Sequence, residues 1–171
     1  MMKVINAEIK AMCSDLERIR SILLEKKADF KGMDHQVDTY FRTGSGRLKL
    51  REGNIENNLI WYQRPDQTEP RTSRCILHKT EKGNHLKDIL ERAMGVMVVV
   101  DKQREIYFID NIKIHLDRVK GLGTFLEIEA QGEAGGLAEE ILHRQCRKLM
   151  DEFGIRTDDL VSGSYSDLLL K

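Results

Sequence analysis

Cysteine is scarce in this sequence, and no familiar metal-binding motif is present. The three cysteines, Cys13, Cys75 and Cys146, are odd in number, far apart and form no CxxC pair. Neither a zinc site nor a disulfide framework is therefore indicated, and reduced cysteines packed inside a cytoplasmic protein are expected. The five histidines have neither HExxH nor HxxxH spacing, so a histidine-ligated metal is not predicted.

Net charge and long hydrophobic runs are also missing. The 28 basic and 28 acidic residues cancel, whereas a protein that binds nucleic acid over its whole surface is normally basic. No stretch of about 18 apolar residues and no signal-peptide pattern occurs, so we expect a cytoplasmic protein with neither nucleic-acid nor membrane partners. The 171 residues, 40% of them hydrophobic, suit one well-cored domain over 1–171.

What the chain has in abundance is alternation of apolar and polar residues, which predicts β-strands. Eight segments show it, joined by short turns wherever no helix intervenes: 4–11, 35–41, 47–52, 59–65, 73–80, 97–109, 111–119 and 121–130. Helical spacing of apolar residues predicts three helices, over about 15–27, 84–95 and 134–153. Asn84 is the expected N-cap of the second helix, and Leu137 lies on the buried side of the third. The tail from 154 onward is expected to pack back on the domain because it is rich in leucine and valine.

Like charges cluster on the polar faces of these strands. Glu127 and Glu129 share one face of segment 121–130, on the order of 7 Å apart at ~3.3 Å per residue. The other members of the pattern are the cations Lys10, Arg47, Lys49, Arg51, Lys102 and Arg104 and the carboxylates Glu8 and Asp117. A solvated face explains any one strand, but such faces usually mix signs because like-charged neighbours destabilise a sheet.

Separate clusters of repelling charge indicate ligands of opposite sign. Clustered Arg and Lys suit a polyphosphate. Clustered carboxylates suit a hard divalent cation such as Mg²⁺ or Mn²⁺, which in turn binds phosphate oxygens. If both clusters lie on one closed sheet, the sequence predicts a barrel with a charged lumen.

Several segments resemble the CYTH superfamily, the triphosphate tunnel metalloenzymes. The matching stretches run in order over essentially the whole chain: AEIKA, DTYF, RLKLRE, VDKQREIYF, LDRVKGLGTFLEIEA and SYSDLLL. The closest resemblance is to class IV adenylyl cyclase-like members. It implies an α+β fold in which an eight-stranded antiparallel β-barrel with flanking helices forms a tunnel around a triphosphate and a divalent metal.

The resemblance also implies roles for particular residues. Divalent metal, Mg²⁺ or Mn²⁺, would be bound by Glu8, Glu127 and Glu129, with Asp117 contributing at the site. A metal between or beside Glu127 and Glu129 would cancel their repulsion. The triphosphate oxygens would be held by Lys10, Lys49, Arg51, Lys102 and Arg104, with Arg47 ranked lower because the family places its paired cations at 49 and 51. No residue is assigned as catalytic.

Two positions depart from the family pattern. The N-terminal signature ExExK reads Asn6-Ala7-Glu8-Ile9-Lys10, so the first carboxylate is an amide that can ligate magnesium but brings no charge. In WYQRP, Gln63 stands where many members have a lysine two residues before the proline. Whether the neighbouring Arg64 turns inward is left open.

Three functions are compatible with this pattern. The first is cyclisation of ATP to cyclic AMP and pyrophosphate, favoured by the overall resemblance. The second is hydrolysis of tripolyphosphate, thiamine triphosphate or a nucleotide, which the same tunnel would serve. The third is non-catalytic binding of triphosphate or polyphosphate, which Asn6 keeps open. A cyclase must also bind a base, for which Tyr40, Trp61, Tyr62 and Tyr107 are candidates. A homodimer is compatible with an apolar outer wall.

Overall fold

The computed structural model describes residues 2–83, 85–133 and 138–171. The strands are β1 Met2–Met12, β2 Asp29–Phe41, β3 Arg47–Glu52, β4 Asn57–Gln63, β5 Arg71–Lys79, β6 Val96–Ile109, β7 Ile112–Val119 and β8 Gly123–Glu133. The helices are α1 Leu16–Glu25, α2 Leu86–Met94, α3 Glu139–Glu152 and α4 Tyr165–Leu169, with a short 3-10 turn at Thr157–Asp159.

The predicted strands and helices are confirmed, with shifted ends. The second strand begins at Asp29 rather than at 35 and is extended by six further residues, five of which pair with β6 while Lys31 falls at a register shift. The alternation was hard to see there because Asp29, Phe30, Lys31 and Met33 are all exposed. Two sequence predictions, Asn84 as an N-cap and Leu137 on the buried side of the third helix, lie outside the described residues, as does the predicted start of that helix at 134.

The eight strands close into an antiparallel barrel in the order β1-β5-β4-β3-β2-β6-β7-β8. Side chains along each strand therefore alternate between the lumen and the outer wall. The register places Glu8 opposite Glu129 and Lys10 opposite Glu127 in the β1–β8 pair. It also places Arg104 opposite Asp117 in the β6–β7 pair. The charged faces predicted from the sequence thus point to one interior.

The larger of two hydrophobic clusters lies outside the barrel wall, and the smaller one includes Tyr40, Ile60 and Tyr62 on the lumen side. The outward faces of β1, β7 and β8 supply residues such as Ile9, Ile114 and Ile128, which are at most 2% exposed. Helices α1 and α3 cover them with apolar side chains that include Ile19 and Leu142. Because this packing secures the wall from outside, the lumen is left free to hold polar groups. No helix among the described residues has the length and apolar character to cross a bilayer.

The C-terminal segment packs back on the barrel, as the sequence predicts. The amide of Val161 donates to the carbonyl of Lys10 at 2.8 Å, and Leu160 bridges to Ala11. Helix α4 then begins at Tyr165, whose side chain is 4% exposed. Its capping box, in which Ser164 and Asp167 bond each other's backbone amides, fixes where the helix starts. This places Tyr165 at one end of the lumen.

A charged tunnel as the candidate functional site

The lumen contains a cavity of about 380 Å³, within the range of small-molecule sites. Eight of the ten predicted site residues line it: Glu8, Lys10, Lys49, Arg51, Lys102, Arg104, Glu127 and Glu129. The other two are placed differently. Arg47 lies at a neighbouring opening, where it pairs with Asp66 and Asp167. Asp117 is fully buried behind the cavity wall.

Three of the lining cations converge on one carboxylate, Asp38, which is 1% exposed. Lys49 and Lys102 each donate to its Oδ2 at 2.9 Å. Arg51 donates to both oxygens, at 2.8 and 2.9 Å. Burial alone would raise the pKa of Asp38, but these three cations hold that pKa well below its usual range. Asp38 therefore fixes the cations in position as a permanent anion.

Lys102 has an unusual proton affinity for a lysine. Its side chain is 1% exposed, and burial, opposed by Asp38 but reinforced by Arg104 and Arg51, lowers its pKa to about 7. The cause is that Asp38 is shared among three cations and cannot compensate the desolvation of all of them. At neutral pH the tunnel thus holds a lysine that is only partly charged.

We expect triphosphate binding to draw a proton onto Lys102. At pH 8 the free side chain is mostly neutral, and a bound polyanion favours its charged form, so about one proton is taken up per ATP. Calorimetry in buffers of different ionisation enthalpy measures this uptake. Lys102→Met is the matched control, because the proton changes of ATP itself remain. Equal uptake by the wild type and by Lys102→Met would contradict the expectation.

Arg104 is held by a second carboxylate group. It donates to both oxygens of Asp117, at 2.7 and 2.5 Å, and to Glu127 at 2.6 Å. Tyr165 donates its hydroxyl to Asp117 at 2.7 Å, and the Lys10 ammonium lies 3.1 Å from Glu127 and 3.8 Å above the Tyr165 ring. Asp117 thus anchors Arg104 and the C-terminal segment, and its predicted contribution to a metal site stays a prediction.

A different electrostatic situation surrounds Glu129. It faces Glu8 across the β1–β8 pair and accepts from the amides of Asn6 at 2.9 Å and Gln131 at 2.8 Å. Burial raises the pKa of Glu129, and nearby Glu8 adds to that rise against the opposing charge of Lys113. The Asn6 Oδ1 atom is buried and has no hydrogen-bond partner. Glu129 and the Asn6 carbonyl thus form an oxygen-rich spot with no ion-pair partner among the described residues, whereas Glu8 beside it is already paired with Arg64 and Arg71.

The oxygen-rich spot fits a hard divalent cation, which prefers carboxylate and amide oxygens. The unpartnered Asn6 Oδ1, Glu129 and Glu8 are the residues that would hold it. Over the described ranges, no three His, Cys, Asp or Glu side chains meet in an arrangement that could hold a metal ion. The protein ligands would therefore be few, and oxygens of a bound ligand would complete the set.

Sequence reasoning left Arg64 open and did not name Arg71, and both pair with Glu8. The Arg64 side chain is 3% exposed and lies 2.7 Å from Glu8, so it does turn inward, while Gln63 is exposed. Arg71 is 1% exposed, lies 3.3 Å from Glu8 and donates to the carbonyl of Gln67 at 2.8 Å. Register shows why Arg71 was missed: it starts β5 directly opposite Glu8, and the sequence alone does not give that pairing.

Two further lumen residues, Lys113 and His115, precede Asp117 on the inward face of β7. His115 is 2% exposed, and its Nδ1 atom lies 3.2 Å from Glu127. Burial, together with Arg104, lowers the pKa of His115 to about 4, so the ring is neutral at pH 7. Its Nε2 atom is buried without a partner. Lys113 pairs with Glu56, which also accepts from Arg51 at 3.0 Å.

The cavity as a whole carries an excess of positive charge. Among the described lining residues, seven are Lys or Arg and four are Glu. A buried cavity with that excess favours an anionic ligand, since the attraction is stronger where water is excluded. The arrangement can therefore hold a polyanion along the cations and a metal at the Asn6–Glu129 end.

Of the aromatic candidates for base binding, two face the lumen. Tyr40 and Tyr62 line the cavity, with their hydroxyls 3.5 Å apart. Trp61 points outward and bonds the carbonyl of Ser45 at 3.1 Å. Tyr107 is also outside, where its ring packs against Phe30 with 4.8 Å between centroids. Alternation along β4 separates Trp61 from Tyr62 in this way.

Comparison with known proteins agrees with this geometry. A family model described as the CYTH domain matches residues 4–165. A Methanocaldococcus jannaschii protein named "Putative adenylate cyclase" is 26% identical, over 96% of this chain and 98% of its own length.

Two solved structures share the fold. A conserved hypothetical protein from Pyrococcus furiosus superposes with a TM-score of 0.80 at 18% identity, covering 95% of this chain and 99% of its own. A Hippeastrum protein described as a "putative adenylyl cyclase" with a dominant triphosphatase activity superposes with a TM-score of 0.63 at 14% identity, covering 98% and 94%.

Proposed function

The chain belongs to the CYTH domain family, and on that premise we propose that it is a metal-dependent enzyme that converts ATP to cyclic AMP and pyrophosphate. The observation that supports this most directly is the cavity itself. It combines an excess of cations for a triphosphate with an oxygen-rich spot, around Glu129 and the unpartnered Asn6 carbonyl, that lacks a cation.

In this proposal, the cations hold the triphosphate in line for reaction. Lys49, Arg51 and Lys102 are already fixed on Asp38, so little side-chain entropy is lost when phosphate oxygens meet them. Arg104, fixed on Asp117, adds a planar donor that suits two phosphate oxygens. These charges neutralise the leaving pyrophosphate.

The opposite end of the ligand would meet the carboxylates. Asn6, Glu8 and Glu129 would hold Mg²⁺ or Mn²⁺, which supplies Lewis-acid polarisation of a phosphate oxygen and a lowered pKa for the attacking hydroxyl. Glu127, paired with Lys10 and Arg104, would orient those two cations. A predicted metal role for Glu127 remains part of the proposal.

Hydrolysis of a triphosphate is the second candidate. It uses the same cations and metal, with water in place of the ribose hydroxyl. The dominant triphosphatase activity described for the Hippeastrum protein of the same fold supports hydrolysis as the second candidate function.

A cytoplasmic location and a homodimer also stay predictions.

A product assay on purified protein separates these functions. ATP, tripolyphosphate and thiamine triphosphate are offered with Mg²⁺ and, separately, with Mn²⁺, and the products are resolved by chromatography. We expect cyclic AMP and pyrophosphate from ATP. Phosphate release without cyclic nucleotide would make the protein a triphosphatase. Binding of triphosphates without any product would contradict both, and Asn6→Glu would then be the first variant to assay for turnover.

A further inference from the structure

One wall of the tunnel carries no charge. Four inward-facing side chains form it, and we call them the apolar wall: Ile60 and Tyr62 from β4 and Cys75 and Leu77 from β5. They make two cross-strand pairs, Ile60 with Leu77 and Tyr62 with Cys75. Burial raises the pKa of the Cys75 thiol to about 12, so this side chain is neutral as well.

The apolar wall lies across the lumen from three cations, Lys102, Arg104 and Lys113, while Lys49 on β3 lies beside it, opposite Ile60. In the closed ring of eight strands, β5 is four positions from β6, and β4 is four positions from β7. Strand β6 carries Lys102 and Arg104, and β7 carries Lys113. The tunnel therefore has a cationic side and an apolar side that face each other.

Leu77 and Cys75 pack against a second, smaller hydrophobic cluster that includes Ile60 and Tyr62, but they are not fully covered by it. Both are only partly buried and line the cavity, whereas the residues of the main core on the outer side of the wall are 7% exposed or less. Apolar surface left facing a polar cavity costs free energy that a ligand with an apolar group would recover.

An inorganic triphosphate does not match such a tunnel. Its oxygens would meet Lys and Arg donors on the cationic side but only the Tyr62 hydroxyl and the weakly donating Cys75 thiol on the apolar wall, where most of them would lose hydration without replacement. An aromatic ring attached to the triphosphate would instead bury its face there, against Tyr62 and Leu77.

We infer that the apolar wall receives the base of a nucleoside triphosphate and so raises the affinity for ATP relative to inorganic tripolyphosphate. This inference rests on the proposed triphosphate-binding function. It adds to that function the side of the tunnel on which the organic group lies and the class of substrate selected.

Binding measurements on Leu77 variants test the inference. ATP and tripolyphosphate are each titrated by calorimetry, in metal-free buffer to prevent turnover and again with Mg²⁺. Leu77→Ala is expected to weaken ATP about tenfold and to leave tripolyphosphate nearly unchanged. Leu77→Lys is expected to weaken ATP and to tighten tripolyphosphate, because it makes the wall cationic. Ile76→Ala, one residue along β5 on the opposite face of the strand, is the matched control and should change neither affinity.

Each outcome is informative. Equal weakening of both ligands by Leu77→Ala, or an unchanged ATP affinity in both Leu77 variants, would overturn the inference while leaving triphosphate binding in place. A wild type that binds neither ligand under either condition would refute the proposed function, and the inference would fall with it. Thermal melting of all three variants shows whether Leu77→Lys folds, and Leu77→Ala decides the matter if it does not.

Discussion

A protein carrying Glu129→Gln is expected to lose metal-dependent turnover, on the order of a hundredfold or more, while keeping its fold. Glu129 faces Glu8 across the β1–β8 pair, and its hydrogen-bond donors among the described residues are two amides, Asn6 and Gln131. Replacing its carboxylate breaks no ion pair but removes the charge that would hold a divalent cation. Turnover of ATP with Mg²⁺ and direct binding of Mn²⁺ are the two measurements.

The stability of the same variant supplies its control. Burial raises the pKa of Glu129 above the usual 4.5, so the folded protein holds this proton more tightly than the unfolded chain does. The ionised side chain therefore destabilises the fold as pH rises above that value. In metal-free buffer at pH 7, Glu129→Gln should be at least as stable as the wild type. This difference in the free energy of unfolding should vanish as pH falls from the raised pKa of Glu129 to 4.5 and below.

Glu127→Gln should behave differently, because Glu127 is the partner of Lys10 and Arg104. We expect it to lose stability as well as turnover, since two buried cations lose a counter-charge. The exposed Glu140→Gln on α3 serves as a charge-matched control for both. Undiminished metal-dependent turnover in Glu127→Gln and Glu129→Gln alike would rule out these glutamates as metal ligands.

The second large effect is expected at Asp38. Asp38→Asn removes the one carboxylate that Lys49, Arg51 and Lys102 share. Breaking a buried ion-pair network costs about 3–5 kcal/mol, so the free energy of unfolding should fall by that order. Urea denaturation monitored by circular dichroism measures the change.

A ligand should reverse part of this loss. With Asp38 neutral, Lys49 and Lys102 lose their anion and Arg51 keeps only Glu56, so added tripolyphosphate should raise the melting temperature more in Asp38→Asn than in the wild type. Asp101→Asn is the matched control, because Asp101 pairs with His35 on the exposed side of the barrel. A variant that melts like the wild type, or that gains no extra stabilisation from tripolyphosphate, would show that Asp38 does not organise the cations.

Much of the fold was within reach of the sequence, because strand alternation directly reports which residues share a face. Lys49 with Arg51, Lys102 with Arg104, and Glu127 with Glu129 were grouped correctly and line one cavity. What alternation does not report is which strand lies beside which. The pairing of β1 with β5 brings Arg71 to Glu8, and the ring order brings Lys102 to Asp38.

Asp38 itself carried a signal, since it shares a strand face with Tyr40 in the segment DTYF. A single carboxylate among cationic strands gives no reason to expect that three cations will share it. The same limit applies to Asn6. Its departure from the family pattern was visible in the sequence, but only the structure shows that its carbonyl oxygen is buried without a partner.

The closed ring has a consequence for how the chain is assembled during synthesis. Strand β1 is made first, yet both of its neighbours come later: Val4 pairs with Cys75 on one side and with Glu133 on the other. Long-range pairings of this kind are slow to form. The N-terminal strand must therefore wait until β8 has been synthesised before its second partner exists. Until then its unpaired edge is a site for association with other chains, and Glu8 meets Glu129 only once β8 has been made.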